Sequence, residues 1–294
     1  MPGIGFDQRI QEGEILNVLR EGLPNFTKPP LDEVALGVQF NSIGERFGQV
    51  VADFREGVKE LFPNVEYQSR LSPTPPAIAP NQMAFGPTIQ FQPLIQNPFG
   101  RVWLVTADNS HVIQLQDDRF IFNWRHALED YPRFEYIVNA FWERFRAFRT
   151  AAVQSQLGIL PQQVEVSYFN WIPQETMSQN DYLLTAEKSK LVVDKGEIVS
   201  EAQNWSATYL ISEDGLPQGR LDATSQGPIA RISRTNTAMV QGSTLNLSFR
   251  APVAPGANDD VMDSMIQLGR RIVVSSFSQL TTPKAHQEWG RTDV

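Results

Sequence analysis

Apolar side chains recur at helical spacing in three stretches of this chain. Between Glu45 and Phe62 they fall at Phe47, Val50, Val51, Phe54, Val58, Leu61 and Phe62, and Pro63 stops the pattern. After Pro132 they fall at Phe134, Val138, Phe141, Phe145, Phe148 and Ala152, and after Asn258-Asp259 at Val261, Met265, Leu268, Ile272 and Phe277 toward Leu280. Steps of three and four residues put each set on one stripe of an α-helix, so the spacing predicts three helices that each bury one side. The second is expected to run to about Leu157 with Gly158 as its cap. A shorter helix is predicted over residues 6 to 22, where Ile10, Ile15, Val18 and Leu19 lie roughly on one side and Gly22 and Pro24 close it.

Between the helices the pattern changes to short runs rich in β-branched and aromatic residues. These predict strands at Val34 to Phe40, Val102 to Thr106, Val112 to Gln116, Phe120 to Trp124, Val164 to Trp171, Trp205 to Ser212, Arg220 to Ser225 (with a continuation through Ile229 to Ser233) and Leu245 to Arg250. Asp108-Asn109-Ser110 and Asp117-Asp118 are turn sequences, which makes residues 102 to 124 an antiparallel meander. Residues 71 to 99 carry seven prolines and predict an extended surface excursion with one short edge strand near Thr88 to Phe91. Residues 173 to 204 are polar and read as a long loop of functional or disordered character.

Strand, helix, strands, helix is thus followed by strand, loop, strands, helix. The expected fold class is α+β: a duplicated strand, helix, antiparallel meander and long-helix unit, forming one curved antiparallel sheet with the long helices on one face. Two separate small α+β domains are the alternative. The expected organisation is an N-terminal appendage over 1–24, a first half over 25–160 and a second half over 161–294 packed on the first.

Composition narrows the function classes. The 294 residues are 41% hydrophobic, enough for a sizeable core, and the formal charge of −8 disfavours nucleic acid and anionic membrane as partners. With no cysteine, disulfides, thiolate nucleophiles and cysteine metal sites are excluded. No apolar run reaches the ~20 residues of a bilayer-spanning helix, and the start lacks a signal-peptide pattern, so a cytoplasmic protein is expected. The sequons at Asn25, Asn204 and Asn246 are coincidences of composition on that reading.

Four blocks, Phe26 to Phe40, Val112 to Arg125, Tyr131 to Glu135 and Val164 to Ile172, resemble a widespread, sporadically distributed family of bacterial proteins of unassigned activity. The resemblance covers roughly residues 26 to 290, and the block VIQLQDDRFIFNWR is its most specific part. It implies a cytoplasmic bacterial protein whose patchy distribution fits mobile or defence-type gene neighbourhoods. It supplies no catalytic residues.

No nucleophile elbow and no phosphate-cradling glycine loop occurs, and Gly-Ile-Gly at 3 to 5 follows no strand. His111, His126 and His286 are scattered and read as solvated or singly bonded; Asp117-Asp118 reads as a hairpin tip and Glu129-Asp130 as acids at a helix start. No catalytic residue, metal site or cofactor is expected. Binding residues are expected instead. Arg125, Arg133, Arg144, Arg146 and Arg149 concentrate cations suited to an anion or acidic partner, against a solvated helix face as the plainer reading. Asn123-Trp124 and Asn170-Trp171 recur near the ends of corresponding strands in the two halves and are candidates to flank one cleft. The expected function is therefore a non-catalytic binding module, an accessory, immunity or antitoxin-like partner of another protein encoded nearby. A small-ligand sensor or enzyme, with a small acidic ligand, is the first alternative, nucleic-acid binding through the arginine face the second, and an oligomer is compatible with either.

Overall fold

The computed structural model describes residues 22–72, 77, 100–127, 131–184, 191–192, 199–200, 204–213, 216–233 and 238–292. In chain order these form β1 (Asn25–Phe26), β2 (Leu31–Phe40), a 3₁₀ turn (Gly44–Arg46), α1 (Phe47–Val58), β3 (Asn64–Gln68), β4 (Arg101–Val105), β5 (His111–Gln116), β6 (Arg119–Arg125) and α2 (Phe134–Gln154). There follow β7 (Pro161–Pro173), α3 (Gln179–Tyr182), β8 (Leu191–Val192), β9 (Val199–Ser200), β10 (Asn204–Glu213), β11 (Leu216–Ile232), β12 (Met239–Pro252), α4 (Asp259–Leu280), α5 (Pro283–Glu288) and β13 (Arg291–Thr292). The fold is α+β, with an antiparallel sheet in the strand order β10-β11-β12-β7-β2-β6-β5-β4-β3. No helix among the described residues is long and apolar enough to cross a membrane.

Two compact units divide the chain. One comprises Glu33–Glu165 and Arg250–Asp263; the other gathers the described residues of Met1–Asp32, Val166–Phe249 and Ser264–Val294. In the Glu33–Glu165 unit, β6 pairs with β2 on one side and β5 on the other, placing Phe122 between Leu36 and Ile113. Alternate residues of a strand face opposite ways. Val34, Leu36, Val38 and Phe40 on β2 and Phe120, Phe122 and Trp124 on β6 accordingly make one continuous buried apolar face. The stripe of α2 covers it: Phe120 lies 5.4 Å from both Phe145 and Phe148 and 6.0 Å from Phe141, and Phe54 of α1 meets Phe148 at 5.7 Å.

The structure corrects several expected boundaries. The first helix is shorter, ending at Val58; Leu61 and Phe62 donate their N–H groups to the Val58 carbonyl in a closing turn, and Leu61 stays exposed. The cap of α2 falls on Gln156 rather than Gly158. Gln156 adopts φ +58, Leu157 N–H bonds the Ala152 carbonyl and Gln156 N–H the Val153 carbonyl, so the helix ends by a left-handed turn two residues before the glycine. The expected continuation of the Arg220 to Ser225 strand is present, as the single long strand β11, which begins earlier, at Leu216, and ends at Ile232. β3 went unrecognised although Val65 and Tyr67 alternate with polar residues, because it is a five-residue edge strand whose Tyr67 stays exposed. The expected helix over 6 to 22 and the expected strand over 88 to 91 lie outside the described residues.

Along α4 the expected Ile272 and Phe277 are buried, but the first turns are rotated by one residue, with Met262 and Ile266 in place of Val261 and Met265. Met262, Ile266, Ile272, Val273 and Phe277 are buried whereas Val261 is exposed. Gly269 sets this rotation, because a Cβ there would lie 2.8 Å from Phe249 on β12 and from Val166 on β7. The helix seats on the strands through its backbone at that point, which a count of apolar side chains does not register. Asn258 opens α4 as expected, its Oδ1 accepting from Val261 N–H at 3.0 Å. The polar loop of residues 173 to 204 contains α3, begun by a capping box in which Ser178 and Asp181 exchange hydrogen bonds.

The β4–β5 turn supplies a pH-dependent contribution. Asp108 Oδ1 accepts from Thr106 Oγ1 at 2.6 Å, Ser110 N at 3.0 Å and Ser110 Oγ at 2.8 Å. The Thr106 hydrogen bond first, then those from Ser110, outweigh partial burial and hold the carboxyl down to about 2 from an ordinary 3.8. Because the folded value is the lower one, this contribution is complete above about pH 4 and is lost as pH falls toward 2. Unfolding midpoints measured between pH 5 and pH 2 should therefore fall less steeply in Asp108→Ala than in the parent; parallel curves would show that the turn does not hold the carboxylate.

Candidate functional site

Opposite the apolar face of β6 stand Arg119, Ile121, Asn123 and Arg125, and the neighbouring strands continue this face with polar groups. β2 brings Glu33 opposite Arg125, β5 brings Gln114 opposite Ile121, and β4 brings Trp103 opposite Gln114 with Arg101 two residues earlier. A polar strand face ordinarily meets water. Here Gln114, Gln116, Arg119 and Asn123 are all buried, at 8%, 0%, 7% and 2% exposure.

Burial is tolerated because the groups are linked in series. Arg101 Nη1–H donates to Gln114 Oε1 at 2.8 Å, Gln114 Nε2–H to Asn123 Oδ1 at 2.9 Å, and Asn123 Nδ2–H to Glu33 Oε1 at 2.6 Å. A cation that can only donate stands at one end and a carboxylate that can only accept at the other, so both amides have one possible orientation. Arg125 closes the circuit, with Nε 3.2 Å from Glu33 Oε2. The guanidinium carbons of Arg101 and Arg125 also lie over the Trp103 ring, at 5.2 and 4.9 Å from its centroid.

The cluster holds more donors than acceptors. The buried Nε–H of Arg101 and the buried indole N–H of Trp103 make no hydrogen bond among the described residues, and the Arg125 Nε–H, although 3.2 Å from Glu33 Oε2, is not aligned to bond it. Arg101 and Arg125 share the face with Glu33 and with Glu66, which stands opposite Trp103 on β3. Burial pushes the Arg101 guanidinium below its usual range, and repulsion from Arg119 adds to the shift. Further hydrogen-bond acceptors are what these donors lack among the described residues.

At the adjoining end of β5 and β6 charges are balanced. Arg70 pairs with both Asp117 and Asp118, Arg119 Nε donates to Asp118 Oδ1 at 2.9 Å, and Ser42 Oγ donates to Asp117 Oδ2 at 2.7 Å. Burial opposes ionisation of Asp118, but hydrogen bonds from Arg119 and Gln116 and the charges of Arg119 and Arg70 hold its carboxyl below the ordinary value. The acid pair therefore ties the hairpin tip to its surroundings. The main chain of residues 71, 72 and 77 also reaches this polar face: Leu71 N–H bonds Gln116 Oε1, Arg119 Nη2–H bonds the Ser72 carbonyl, and Ala77 N–H bonds Gln163 Oε1.

The other expected residues are dispersed. Trp124 faces the core at 2% exposure, edge-on to Tyr131 at 5.4 Å, on the opposite side of β6 from Asn123 and Arg125. On β7 the facing is reversed. Asn170 lies on the Val166 side, which meets α4 at Gly269, and donates to the Leu245 carbonyl at 2.7 Å. Trp171 points the other way, under the Arg231 guanidinium at 3.9 Å, while Arg231 binds Asp32 through two hydrogen bonds of 2.7 and 2.8 Å. The recurring Asn-Trp dipeptide thus places different residue types on the sheet's outer side in each unit. A close backbone approach accompanies Trp171: a Cβ on Gly242 would stand 2.7 Å from its ring.

On α2, Arg146 and Arg149 both bind Asp259, at 2.8 and 2.7 Å, and lie over Trp142 and Phe145; Arg144 pairs with Glu143, and Arg133 occupies the N-cap position. Arg146 and Arg149 hold the start of α4 against α2, together with the Trp142 indole N–H, which donates to Asp263 Oδ1 at 2.7 Å. Of the expected binding residues, Asn123 and Arg125 meet in one cluster, joined by Glu33, Arg101, Trp103 and Gln114. His111 and His286 each hydrogen-bond a neighbouring hydroxyl, of Ser110 and Thr281. Among the described residues no group of three or more His, Asp or Glu side chains could hold a metal ion. No protein-family model matches the chain, and no curated protein matches it.

Proposed function

We propose that the protein is a binding module that captures an acidic, acceptor-bearing group of a partner, a carboxylate or phosphate, on Arg101, Trp103 and Arg125. The observation that supports this reading is the pair of buried donors on one strand face, the Arg101 Nε–H and the Trp103 indole N–H, that have no acceptor among the described residues, beside an Arg125 Nε–H that is poorly aligned with Glu33. Buried donors are ordinarily paired, and leaving one unpaired costs about 1–3 kcal/mol. A ligand that supplies acceptors recovers that energy on binding. The family resemblance extends the proposal to a partner protein, an accessory, immunity or antitoxin-like system component, with the acidic group on that partner's surface. The arginine face of α2 lends nucleic-acid binding less support, since Arg146 and Arg149 share Asp259.

Trp103→Phe tests this cleanly. The variant keeps a ring beneath both guanidinium groups and removes only a donor that bonds nothing among the described residues. Calorimetric titration with a glutamate decamer and with pyrophosphate is expected to show binding of at least one, weakened about five- to tenfold in Trp103→Phe and at least tenfold in Arg125→Ala. The thermal midpoint of Trp103→Phe should stay at or above that of the parent. Binding of neither probe, or equal affinity in parent and variants, would sink the proposal.

A further inference from the structure

The strand order of the sheet begins with β10, which is paired along one edge only among the described residues. β11 takes that edge, from Asn204 opposite Gln226 to Glu213 opposite Leu216, and the main chain of β10 makes no other hydrogen bond among the described residues. Every second residue of such a strand turns its N–H and C=O outward, so a row of donors and acceptors faces away from β11. Edges of this kind are ordinarily blunted by short length, charge, proline or a bulge. β3, at the other end of the strand order, is five residues long and carries Glu66. β10 is ten residues long, and Asn204 to Ser212 contain neither a charge nor a proline. The irregularity between Ile211 and Ser212 leaves β10 itself regular: Ile211 faces Gly219 and Ser212 faces Pro217, so the extra residue is Gln218 on β11.

Apolar burial is also incomplete along this strand. Trp205, Ala207, Tyr209 and Ile211 share one side of β10; Ile211 is buried, whereas the other three stay partly exposed, and Leu210 on the opposite side is 54% exposed. An identical strand is the occupant that fits. The chain carries a net charge of −8, so repulsion opposes self-association over much of its surface and is least along an uncharged edge. In an antiparallel pair directly opposed residues share a face, and outward N–H groups meet outward C=O groups. Pairing the whole uncharged run with its own copy centres the contact on Thr208. Trp205 then stands opposite Ile211 of the second copy and Ala207 opposite its Tyr209, which covers the partly exposed rings, and Thr208 stands opposite itself. Such a contact uses the same patch on both copies and closes as a dimer.

We infer that the outer edge of β10 is a dimerisation surface, to which a second copy of this chain adds its own β10 antiparallel, with the twofold axis at Thr208. This surface is independent of the acidic-group site on Arg101, Trp103 and Arg125. Sedimentation equilibrium of the full chain at micromolar concentration is expected to give twice the chain mass of 33.1 kDa. Thr208 is exposed in the single chain and meets its own copy on the axis, so Thr208→Lys and Thr208→Glu should each weaken the dimer at least about tenfold, and an equimolar mixture of the two should restore it. Thr208→Val, which removes the hydroxyl bonded to Asp222 and Arg220 and adds no charge, should stay dimeric. Residue-resolved hydrogen exchange on the parent reads the same edge without a substitution: a free edge exchanges every second amide of β10 rapidly, whereas the dimer protects them all. A monomeric parent overturns the inference, as does a dimer that survives both charged variants, a mixture no more associated than either variant alone, or rapid exchange at alternate amides of β10.

Discussion

Replacing Phe120 with alanine is expected to destabilise the Glu33–Glu165 unit by about 3–5 kcal/mol. Phe120 is fully buried on β6 and is the common neighbour of rings from two helices: Phe54 on α1 at 6.2 Å, and Phe141, Phe145 and Phe148 on α2 at 6.0, 5.4 and 5.4 Å. Truncation removes its transfer free energy and also aromatic contacts worth about 0.5–1.5 kcal/mol each beyond burial. The gap cannot close easily, because its walls are held from both sides. Phe141 and Phe145 stack on one another at 9°, and Phe148 is wedged between Phe40 and Phe54 at 5.8 and 5.7 Å. Urea unfolding followed by near-ultraviolet circular dichroism would measure the loss. Val153→Ala, at 67% exposure on the same helix, should change stability by no more than about 0.5 kcal/mol and serves as the control. A loss in Phe120→Ala comparable to that control would show that the rings collapse into the space and that the cluster does not organise the unit.

The same cluster shows what was legible in the sequence. Phe134, Phe141, Phe145 and Phe148 recur every three, four or seven residues, and a helix buried along one stripe is the physical consequence of that spacing. The meander was legible for a similar reason: Asp117-Asp118 joins Gln116 and Arg119, which pair directly across the hairpin. In α4 the pattern located Ile272 and Phe277 but pointed to a neighbouring stripe over the first turns, before the backbone contact at Gly269. The cap at Gln156 was missed because a residue other than glycine takes the left-handed conformation there.

The candidate site was legible only in part, for a reason built into strands. Arg101-x-Trp103, Gln114-x-Gln116 and Asn123-x-Arg125 alternate with apolar residues, and that alternation ordinarily marks a face open to water. Only the register, which sets Glu33 beside Arg125 and Trp103 beside Gln114, reveals that these polar groups meet and are enclosed. Asn123 and Arg125 were found through the Asn-Trp-Arg sequence, whereas Glu33, Arg101, Trp103 and Gln114 carry no local signal that separates them from surface residues. Trp124 shows the converse: aromatic character next to a site is core when its parity along the strand is odd to the site's.

Asn123 is the position at which this enclosed chain of hydrogen bonds is most exposed to mutation. Asn123→Leu preserves volume but leaves the Gln114 amide N–H without its acceptor and the Glu33 carboxylate without its donor, at 2% exposure. Each orphaned group costs about 1–3 kcal/mol, more for the carboxylate, so a loss of roughly 2–5 kcal/mol is expected. Asn123→Asp is the sharper experiment. Its carboxyl would face Glu33 Oε1 across a contact of 2.6 Å, and two adjacent carboxylates cannot both ionise without strong repulsion. The shared proton raises the folded-state pKa of the pair above the unfolded values near 4. A group raised in this way stabilises most below the unfolded pKa and loses that contribution as pH rises through the folded value, so the variant should be far closer to the parent at pH 4 than at pH 7.5. Asn123→Leu has no such group and should keep a nearly constant deficit over the same range. If the deficit of Asn123→Asp is also independent of pH, Glu33 is not held against position 123 in solution, and the series from Arg101 to Glu33 is broken at its last link.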